Sequence, residues 1–381
     1  MNLSSRRLRV LNVYRTYFPD PPGGLQEAIR QICLATGQQG IDNTIFTLSP
    51  NPEPGEIERP EAHVVRRRSW AAPASCDLGG LAAFTEFRRL ARAADVVHYF
   101  FPWPFADVLH ALACPDKPVV LTYISDIVRQ RWLGTAYAPL MWRTLRSVDA
   151  IVANCPAYAR TSPVLADVSI CNKVTMIPLG IVEDSYARTG DENVLQRLGL
   201  QGDTPYFLFL GVLRYYKGLH TLVVAAQRVN AKVVIAGSGP EGDALQAQAK
   251  DLDVTNVAFA GQVTDAEKVA LLQHCLALVL PSHLRSEAYG MVLVEAAMSG
   301  KPMVSCEIGT GTSFVNADGE TGFVVPPENP LALAEALNCL LTDAELAGRM
   351  GLAARQRYER MFSGEALGKA YASLYHDVSR R

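Results

Sequence analysis

The stretch LALVLPSHLRSEAYGMVLVEAAMSGKPMVSC, residues 276–306, contains a complete strand–loop–helix–strand unit. LALVLPS is a short apolar run typical of a buried strand. MVLVEAAMSG has the composition of a helix, and Gly300 and Pro302 are typical of its end. KPMVSC begins the next strand. Because strand, helix and strand in succession form the repeating unit of a parallel sheet, the stretch predicts an α/β fold.

Short apolar runs of the same kind recur along the chain, and helical patterns such as residues 25–40 separate several of them. The first series is RLRVLNVY (7–14), NTIFTLS (43–49), ADVVHYF (94–100), PVVLTYI (118–124) and AIVANC (150–155). The second is PYFLFLG (205–211), AKVVIAG (231–237), TNVAFAG (255–261), LALVLPS (276–282), KPMVSC (301–306) and GFVVPP (322–327).

Turn formers and charges interrupt this alternation over residues 178–205. We therefore predict two doubly wound, Rossmann-like domains, residues 1–187 and residues 188–363. The helical pattern over 364–381 is expected to cross back to the first domain. Ligands of open parallel sheets bind at the carboxyl ends of the strands, so we expect the two domains to face a ligand-binding cleft.

The composition excludes several classes of protein. The 381 residues exceed the usual size of a single core, and a formal net charge of −2 gives no indication of nucleic-acid binding. The eight cysteines form neither a C-x-x-C pair nor a zinc-binding spacing. No apolar segment has the length of a signal peptide or a membrane span. We expect a cytoplasmic protein, with peripheral attachment to the inner face of the cytoplasmic membrane left open.

Two glutamates flank the helix start in the quoted stretch, Glu287 in the loop and Glu295 within the helix. The peptide N–H groups from Ala288 to Val292 are free at a helix start and favour an anion. A carboxylate is unsuited to hold that anion, but it can accept hydrogen bonds from sugar hydroxyls on either side of a diphosphate. The alternative is a helix-start glutamate favoured by the dipole, together with one surface glutamate.

Two glycine loops follow strands. Gly23 and Gly24 stand at the start of a helix, where backbone N–H groups could approach a phosphate, although taken alone a plain glycine turn explains them better. In the second series, Gly211, Arg214 and Lys217 place two cations beside a glycine turn. That combination suits a diphosphate, and a solvated loop is the alternative.

Two further motifs are explained without a ligand. Gly237, Gly239 and Gly242 satisfy G-x-G-x-x-G, but the next strand lacks the acidic residue of a nicotinamide site, so we predict a tight turn. The D-x-D at residues 251–253 resembles a metal-binding motif, but it follows an amphipathic segment and is predicted to be a solvated helix end.

Four motifs are informative in combination: E-x7-E within SEAYGMVLVEAAMSGKPMV, the upstream KG loop, GSGPE and the N-terminal GGL. With these motifs the sequence resembles glycosyltransferase family 4 over nearly the whole chain. Its members are retaining enzymes of the GT-B fold. Within the family, GVLRYYKGLHTL and TYISDIVRQ are most similar to bacterial mannosyl- and rhamnosyl-transferases of surface polysaccharide (O-antigen) synthesis. The resemblance implies transfer of a hexose, from GDP-mannose or GDP-rhamnose, to a lipid-linked glycan.

The resemblance also implies roles for individual residues. Glu295 would accept from the ribose hydroxyls and Glu287 from the transferred sugar. The implied catalytic residues are Glu287, Lys217 and Arg214. The implied donor site comprises Gly23, Gly24, Arg214, Lys217, Val263, Glu287, Ala288, Tyr289, Gly290, Met291, Val292 and Glu295. His98, Tyr123 and Asp126 are candidates on the acceptor side. No metal and no cofactor besides the nucleotide-sugar substrate is implied, because cations and a helix start stabilise the leaving group.

The sequence departs from the family pattern at Val212, Phe100 and Ile124, where relatives often have arginine, histidine and histidine. Ile124 leaves a non-catalytic sugar-nucleotide-binding subunit as an alternative, and a nucleotide-sugar epimerase is another because its two-domain fold is similar. Residues 127–148 interleave arginines with Trp132, Tyr137 and Trp142. This pattern suits a membrane surface, and equally a helix that packs its apolar stripe on the sheet.

Overall fold

The structure is a computed structural model that describes residues 7–20, 23–72, 77–125, 131–187, 189–200 and 204–380, without the side chains of residues 131–136. The chain forms two compact units, Met1–Gly180 with Gly364–Arg381 and Ile181–Ser363. The boundary therefore precedes the predicted one between residues 187 and 188. The reason is local, because the Ile181 N–H donates to Phe362 O at 2.8 Å and Ile181 pairs with Ser363.

The first unit contains one sheet whose central strands are parallel. Its strands are β1 (Arg9–Val13), β2 (Asp42–Ser49), β3 (Glu56–Glu58), β4 (His63–Ala71), β5 (Leu78–Gly79), β6 (Val96–Phe101), β7 (Val119–Tyr123), β8 (Ala150–Ala153) and β9 (Val174–Met176). The order is β3-β4-β2-β1-β6-β7-β8-β9, and β5 pairs with β4. Its helices are α1 (Gly24–Gln38), α2 (Leu81–Ala93), α3 (Pro104–Ala113), α4 (Arg131–Ser147) and α5 (Pro156–Thr161).

The second unit contains a parallel sheet of six strands. The strands are β10 (Tyr206–Leu210), β11 (Lys232–Ala236), β12 (Val257–Gly261), β13 (Ala277–Leu280), β14 (Met303–Cys306) and β15 (Gly322–Val325). The helices are α6 (Asn193–Arg197), α7 (Leu219–Ala226), α8 (Gly242–Asp251), α9 (Asp265–His274), α10 (Met291–Met298), α11 (Thr312–Val315), α12 (Pro330–Thr342) and α13 (Ala344–Arg357). The predicted α/β class with two doubly wound sheets is confirmed.

The last helix, α14 (Gly364–Ser379), returns to the first unit and packs on α1, β6 and β7. Tyr371 Oη lies 2.9 Å from Thr122 Oγ1, and Tyr375 Oη lies 2.8 Å from His98 Nδ1. Gly368 sits so close to α1 that an added Cβ would lie 2.8 Å from the carbonyl carbon of Ala35. The core of the first unit thus depends on a segment that follows the whole second unit in sequence.

Candidate functional site

The sheet of the second unit changes direction between β10 and β13, in the order β12-β11-β10-β13-β14-β15. The loops that leave these two strands therefore lie side by side at a topological switch point, where open α/β sheets bind ligands. The His283 N–H donates to Tyr216 O at 3.0 Å and joins the loops. Gly218 has a positive φ of 69°, and an added Cβ there would collide with Pro281 O. Only glycine allows this approach.

Lys217 and Glu287, one from each loop, form an ion pair through Nζ and Oε2. Both side chains are largely buried, at 12% and 11% exposure. Ser282 Oγ donates to the same Oε2 at 3.4 Å. Burial alone would lower the pKa of the Lys217 ammonium, but the Glu287 carboxylate outweighs it and holds that pKa above its usual value. Lys217 is therefore a fixed positive charge at the switch point.

Arg214 lies in the same loop and is exposed, with an extended backbone (φ −118°, ψ 150°). Within the described part of the chain its side chain forms no hydrogen bond or ion pair. The guanidinium acts against the positive charge of Lys217 by tending to lower the pKa of Lys217. The loop thus offers a second cation that is free to meet an anionic ligand.

The G-x-G-x-x-G motif packs against the loop after β10, which carries Arg214 and Lys217. The Leu213 N–H donates to Ser238 O at 3.0 Å, and the Glu241 N–H donates to Leu213 O at 3.1 Å. An added Cβ on Gly237 would collide with Gly211 O, and one on Gly239 would lie 2.5 Å from Leu213 O. These glycines let two backbone segments touch, in agreement with the predicted tight turn.

The D-x-D motif lies at the end of α8, which ends at Asp251. Asp251 and Asp253 are exposed, and the Asp253 N–H donates to Lys250 O at 3.1 Å. The motif is a helix end, as predicted.

The start of α10 faces the same loops. Gly290 precedes the helix in the left-handed region (φ 83°, ψ 62°), and an added Cβ would lie 2.9 Å from Leu280 Cδ2. The amides of Met291 and Val292 donate to no backbone carbonyl among the residues that the structure describes. Free amides at the positive end of a helix are suited to bind a phosphate oxygen. Ala288, by contrast, is anchored, since its carbonyl accepts from the Gly311 N–H at 2.9 Å.

Glu295, in the second turn of α10, is held by two residues that sequence reasoning missed. Tyr186 Oη donates to Glu295 Oε1 at 2.5 Å, and Lys268 Nζ donates to the same oxygen at 3.2 Å. Lys268 Nζ also lies 4.4 Å from the centre of the Tyr186 ring. Lys268 is on α9, which begins just after Val263, a half-buried residue of the predicted donor site. No local pattern links these positions, because they meet only in the folded chain.

Glu287 and Glu295 are held in the same way, each through one oxygen of its carboxylate. The Oε2 atom of Glu287 accepts from Lys217 and Ser282, and the Oε1 atom of Glu295 accepts from Tyr186 and Lys268. Throughout the described ranges, no hydrogen bond reaches the other oxygen of either carboxylate. Each glutamate is thus oriented by one oxygen and can accept from a ligand hydroxyl with the other.

The predicted residues of the first unit are placed as follows. Gly23 precedes α1 and Gly24 begins it, and an added Cβ on Gly24 would meet no atom within 4 Å. Tyr123 is buried and stacks on Phe101 with ring centres 4.6 Å apart. Asp126 lies outside the described residues.

His98 is fully buried in the core of the first unit. Its Nε2 lies 2.7 Å from Thr122 Oγ1 and its Nδ1 2.8 Å from Tyr375 Oη. Burial lowers the pKa of His98 to about 3, so the ring is neutral. With both ring nitrogens engaged, His98 offers no atom to an acceptor, and we assign it to the packing of α14.

Comparison with known proteins gives the following matches. A family model described as Glycosyl transferases group 1 matches residues 191–357, and one described as Glycosyltransferase Family 4 matches residues 22–185. D-rhamnosyltransferase WbpZ of Pseudomonas aeruginosa is 46% identical, over 93% of this chain and 92% of its own length. O-antigen chain mannosyltransferase C of Escherichia coli is 41% identical, over 97% and 98%. The solved structure of sucrose-phosphate synthase from Thermosynechococcus elongatus has a TM-score of 0.78 at 22% identity, over 98% of this chain and 99% of that chain, which shows a shared fold.

Proposed function

The chain belongs to glycosyltransferase family 4, as its motifs predicted, and we propose that it transfers a hexose from a GDP-sugar to a lipid-linked glycan with retention of anomeric configuration. The hexose is mannose or a 6-deoxyhexose such as rhamnose, and the product belongs to O-antigen or another surface polysaccharide. The relatives named as rhamnosyl- and mannosyltransferases match nearly the full length of this chain and support the choice of sugar.

The observation that carries the mechanism is the position of the Lys217–Glu287 pair beside the free amides of α10. A nucleotide diphosphate leaves with two negative charges close together. Lys217 and Arg214 supply opposite charge, and the Met291 and Val292 amides supply hydrogen bonds. Lys217 and the two amides are fixed before the reaction, so they stabilise the departing phosphate without reorganisation. The chemistry therefore requires no divalent ion.

The glutamates act on the two sugars of the donor. Glu295 accepts from the ribose with its unengaged oxygen, and Glu287 accepts from hydroxyls of the transferred sugar. Neither forms a covalent bond. In this proposal the acceptor hydroxyl attacks from the face that the phosphate leaves, and the departing phosphate oxygen takes its proton. The configuration at the anomeric carbon is thereby kept.

We place the enzyme at the inner face of the cytoplasmic membrane, where lipid-linked acceptors are found. Within the described part of the chain, no helix combines the length and apolarity needed to cross a membrane. Arg146 lies over the ring of Trp142 at 5.3 Å on α4, a basic and aromatic pair suited to a lipid interface. The apolar stripe of α4 also packs inward, since Leu145 is fully buried.

The test is a product assay with GDP-, UDP-, ADP- and dTDP-sugars and a lipid-linked acceptor, in the presence and absence of EDTA. We expect transfer only from a GDP-hexose, an unchanged rate with EDTA, and a product whose anomeric configuration matches that of the donor by NMR. Conversion of the donor without acceptor would identify an epimerase instead. Donor binding without any product would identify a non-catalytic subunit. Either result would overturn the proposal.

A further inference from the structure

His283, in the loop after β13, is a buried histidine whose imidazole ring has no hydrogen-bond partner in the described structure. It is 8% exposed, and neither Nδ1 nor Nε2 has a donor or acceptor within reach. Buried polar atoms are almost always paired, because an unpaired one loses its hydration without compensation. An imidazole with both nitrogens open therefore points to a ligand that completes the site.

Two further ligating side chains meet His283. His220 lies in the first turn of α7, and Glu328 lies in the connection between β15 and α12. One ligand atom from each of the three residues falls within 4.8 Å of the others. The segments that follow three different strands thus bring these side chains together.

Aromatic packing fixes the two imidazoles. Tyr215 stacks on His220 with ring centres 5.4 Å apart and planes 9° from parallel. The His283 ring stands edge-on to both, at 4.9 Å from Tyr215 and 5.1 Å from His220. Held at right angles, the two rings approach a shared ligand from different directions, as coordination requires.

We propose that His220, His283 and Glu328 bind a divalent transition-metal ion such as Zn²⁺. Two imidazoles and one carboxylate form a ligand set typical of zinc, whereas Mg²⁺ and Ca²⁺ prefer oxygen ligands alone. At Zn–N and Zn–O bonds of about 2.0–2.2 Å, tetrahedral ligand atoms are separated by about 3.3–3.5 Å.

The cluster includes one negatively charged side chain. A ring nitrogen of His283 that has no hydrogen-bond partner keeps its lone pair for a metal ion. Glu328 supplies the negative charge. Lys217 and Glu287 are engaged with each other and are not ligands of this ion.

The ion would join the start of α7 to the loop after β13, the two segments that carry Lys217 and Glu287. The two segments are already joined by the His283–Tyr216 backbone hydrogen bond, so the ion would add to their stability without entering the transfer reaction, and the rate expected with EDTA is unchanged. The site does not depend on the proposed transferase activity, and its test needs no donor.

The experiment titrates the full-length protein, previously stripped with chelator, with Zn²⁺ by calorimetry and with Co²⁺ by visible absorption. We expect one ion per chain and the d–d spectrum of a site with nitrogen and oxygen ligands. His220→Ala and Glu328→Gln should each weaken binding by about tenfold or more. Glu328 is exposed, so its variant will fold even where a substitution of the buried His283 does not.

His274→Ala is the matched control, since this exposed histidine of the same unit pairs with Glu192 away from the cluster. Its metal affinity should equal that of the parent protein. Cys171 and Cys339 are exposed thiols that could capture an added ion. Thiolate-to-cobalt charge transfer in the spectrum, absence of binding, or equal affinity in the His220 and Glu328 variants would each overturn the proposal.

Discussion

At the scale of single residues, the two oxygens of each site carboxylate differ, because one is bound within the protein and the other is open to a ligand. Glu287 and Glu295 are each anchored through one oxygen, by Lys217 and Ser282 in one case and by Tyr186 and Lys268 in the other. A carboxylate fixed in this way loses little rotamer entropy when a sugar hydroxyl binds its second oxygen. In the proposed function, preorganised acceptors therefore meet the donor.

The Arg214→Ala variant should weaken donor binding without changing the stability of the protein. The guanidinium is exposed and makes no ion pair in the described structure, so its loss should leave the free energy of unfolding unchanged. Loss of one charge-assisted hydrogen bond to the diphosphate costs about 1.5 kcal/mol, or about tenfold in donor affinity. Calorimetric titration with nucleotide diphosphate measures the effect. The exposed Arg228→Ala, on the same unit, is the control. Equal affinity in both variants would remove Arg214 from the site.

The two glutamates should affect different kinetic constants. Glu295→Gln weakens the ribose contact, which is the same in ground and transition states, so it should raise the Kd of the nucleotide diphosphate. Glu287→Gln changes a contact with the sugar that gains charge during the reaction, so kcat should fall by about tenfold or more. Glutamine preserves side-chain volume at both positions. The assignment fails if both variants lose only nucleotide affinity and keep kcat.

The sequence predicted those site residues that lie together in one short segment. Glu287, Gly290 and Glu295 lie around a single helix start, and their spacing alone indicates an anion flanked by hydroxyl donors. Tyr186 and Lys268 were missed because they reach Glu295 only through tertiary contact. The orphaned imidazole of His283 was missed because burial cannot be judged from a residue in a loop.

At the scale of secondary-structure elements, apolar runs predicted the buried strands and failed at the edge of the first sheet. β4, which lies next to the edge strand β3, carries Arg66, Arg67 and Arg68 in sequence, and the buried Arg66 is tolerated because it pairs with Asp20. β9 has only three residues, Val174–Met176, too short for a pattern to emerge. Central strands, covered on both faces, leave the clearest sequence signal.

The crossing of α14 over α1 makes Gly368 sensitive to substitution. Gly368→Ala introduces a Cβ against the backbone of Ala35, and the helices must separate to admit it. We expect a loss of about 1–3 kcal/mol in the free energy of unfolding, measured by urea denaturation. Gly348→Ala on α13 is the matched control, since no atom lies within 4 Å of its added Cβ. That variant should be as stable as the parent or more so, because alanine favours helix. Equal stability of the two variants would contradict the tight crossing.

Burial of His98 between β6, β7 and α14 predicts a dependence of stability on pH. Its pKa is about 3 in the folded chain and about 6.5 when unfolded, so below pH 6.5 the unfolded state binds the extra proton. The contribution of this residue to the free energy of unfolding should therefore fall as the pH drops from 6.5 towards 3. The steepest slope is about 1.4 kcal/mol per pH unit.

His98→Phe removes the titrating group and should flatten this part of the profile, at the expense of stability at pH 7 where Thr122 and Tyr375 lose a partner. Denaturant unfolding at several pH values measures both effects. His376→Asn, an exposed histidine on α14, provides the comparison and should retain the slope of the parent. An unaltered slope in His98→Phe would show that other groups cause the dependence.

At the scale of the whole molecule, the second unit is an insertion within the first, since Ile181–Ser363 separates two segments that fold together. The helix that closes the first unit, α14, supplies hydrogen bonds to Thr122 and His98 in its core. The second unit has its own complete sheet and carries the residues of the proposed donor site. The two units should therefore respond differently to loss of the C-terminal helix.

A chain ending at Ser363 tests this difference. Without α14, the hydroxyl of Thr122 and the ring of His98 lose partners, and α1 loses its covering helix. We expect backbone amides of β6 and β7 to exchange hydrogen rapidly, while those of β10 and β13 stay protected and nucleotide diphosphate still binds. The full-length chain measured alongside is the reference. Equal protection of β6 and β7 in both chains would contradict a structural role for α14.

The return of α14 also sets an order of events during synthesis on the ribosome. When residue 180 has been added, the first unit still lacks a helix that will be translated only after residues 181–363. At about 5–20 residues per second, that interval lasts about 10–40 s. During this period the surface of α1, β6 and β7 that binds α14 stays uncovered in the nascent first unit. The second unit, by contrast, can fold as soon as it emerges. The unit that carries the proposed donor site is thus complete before the unit that precedes it in the gene.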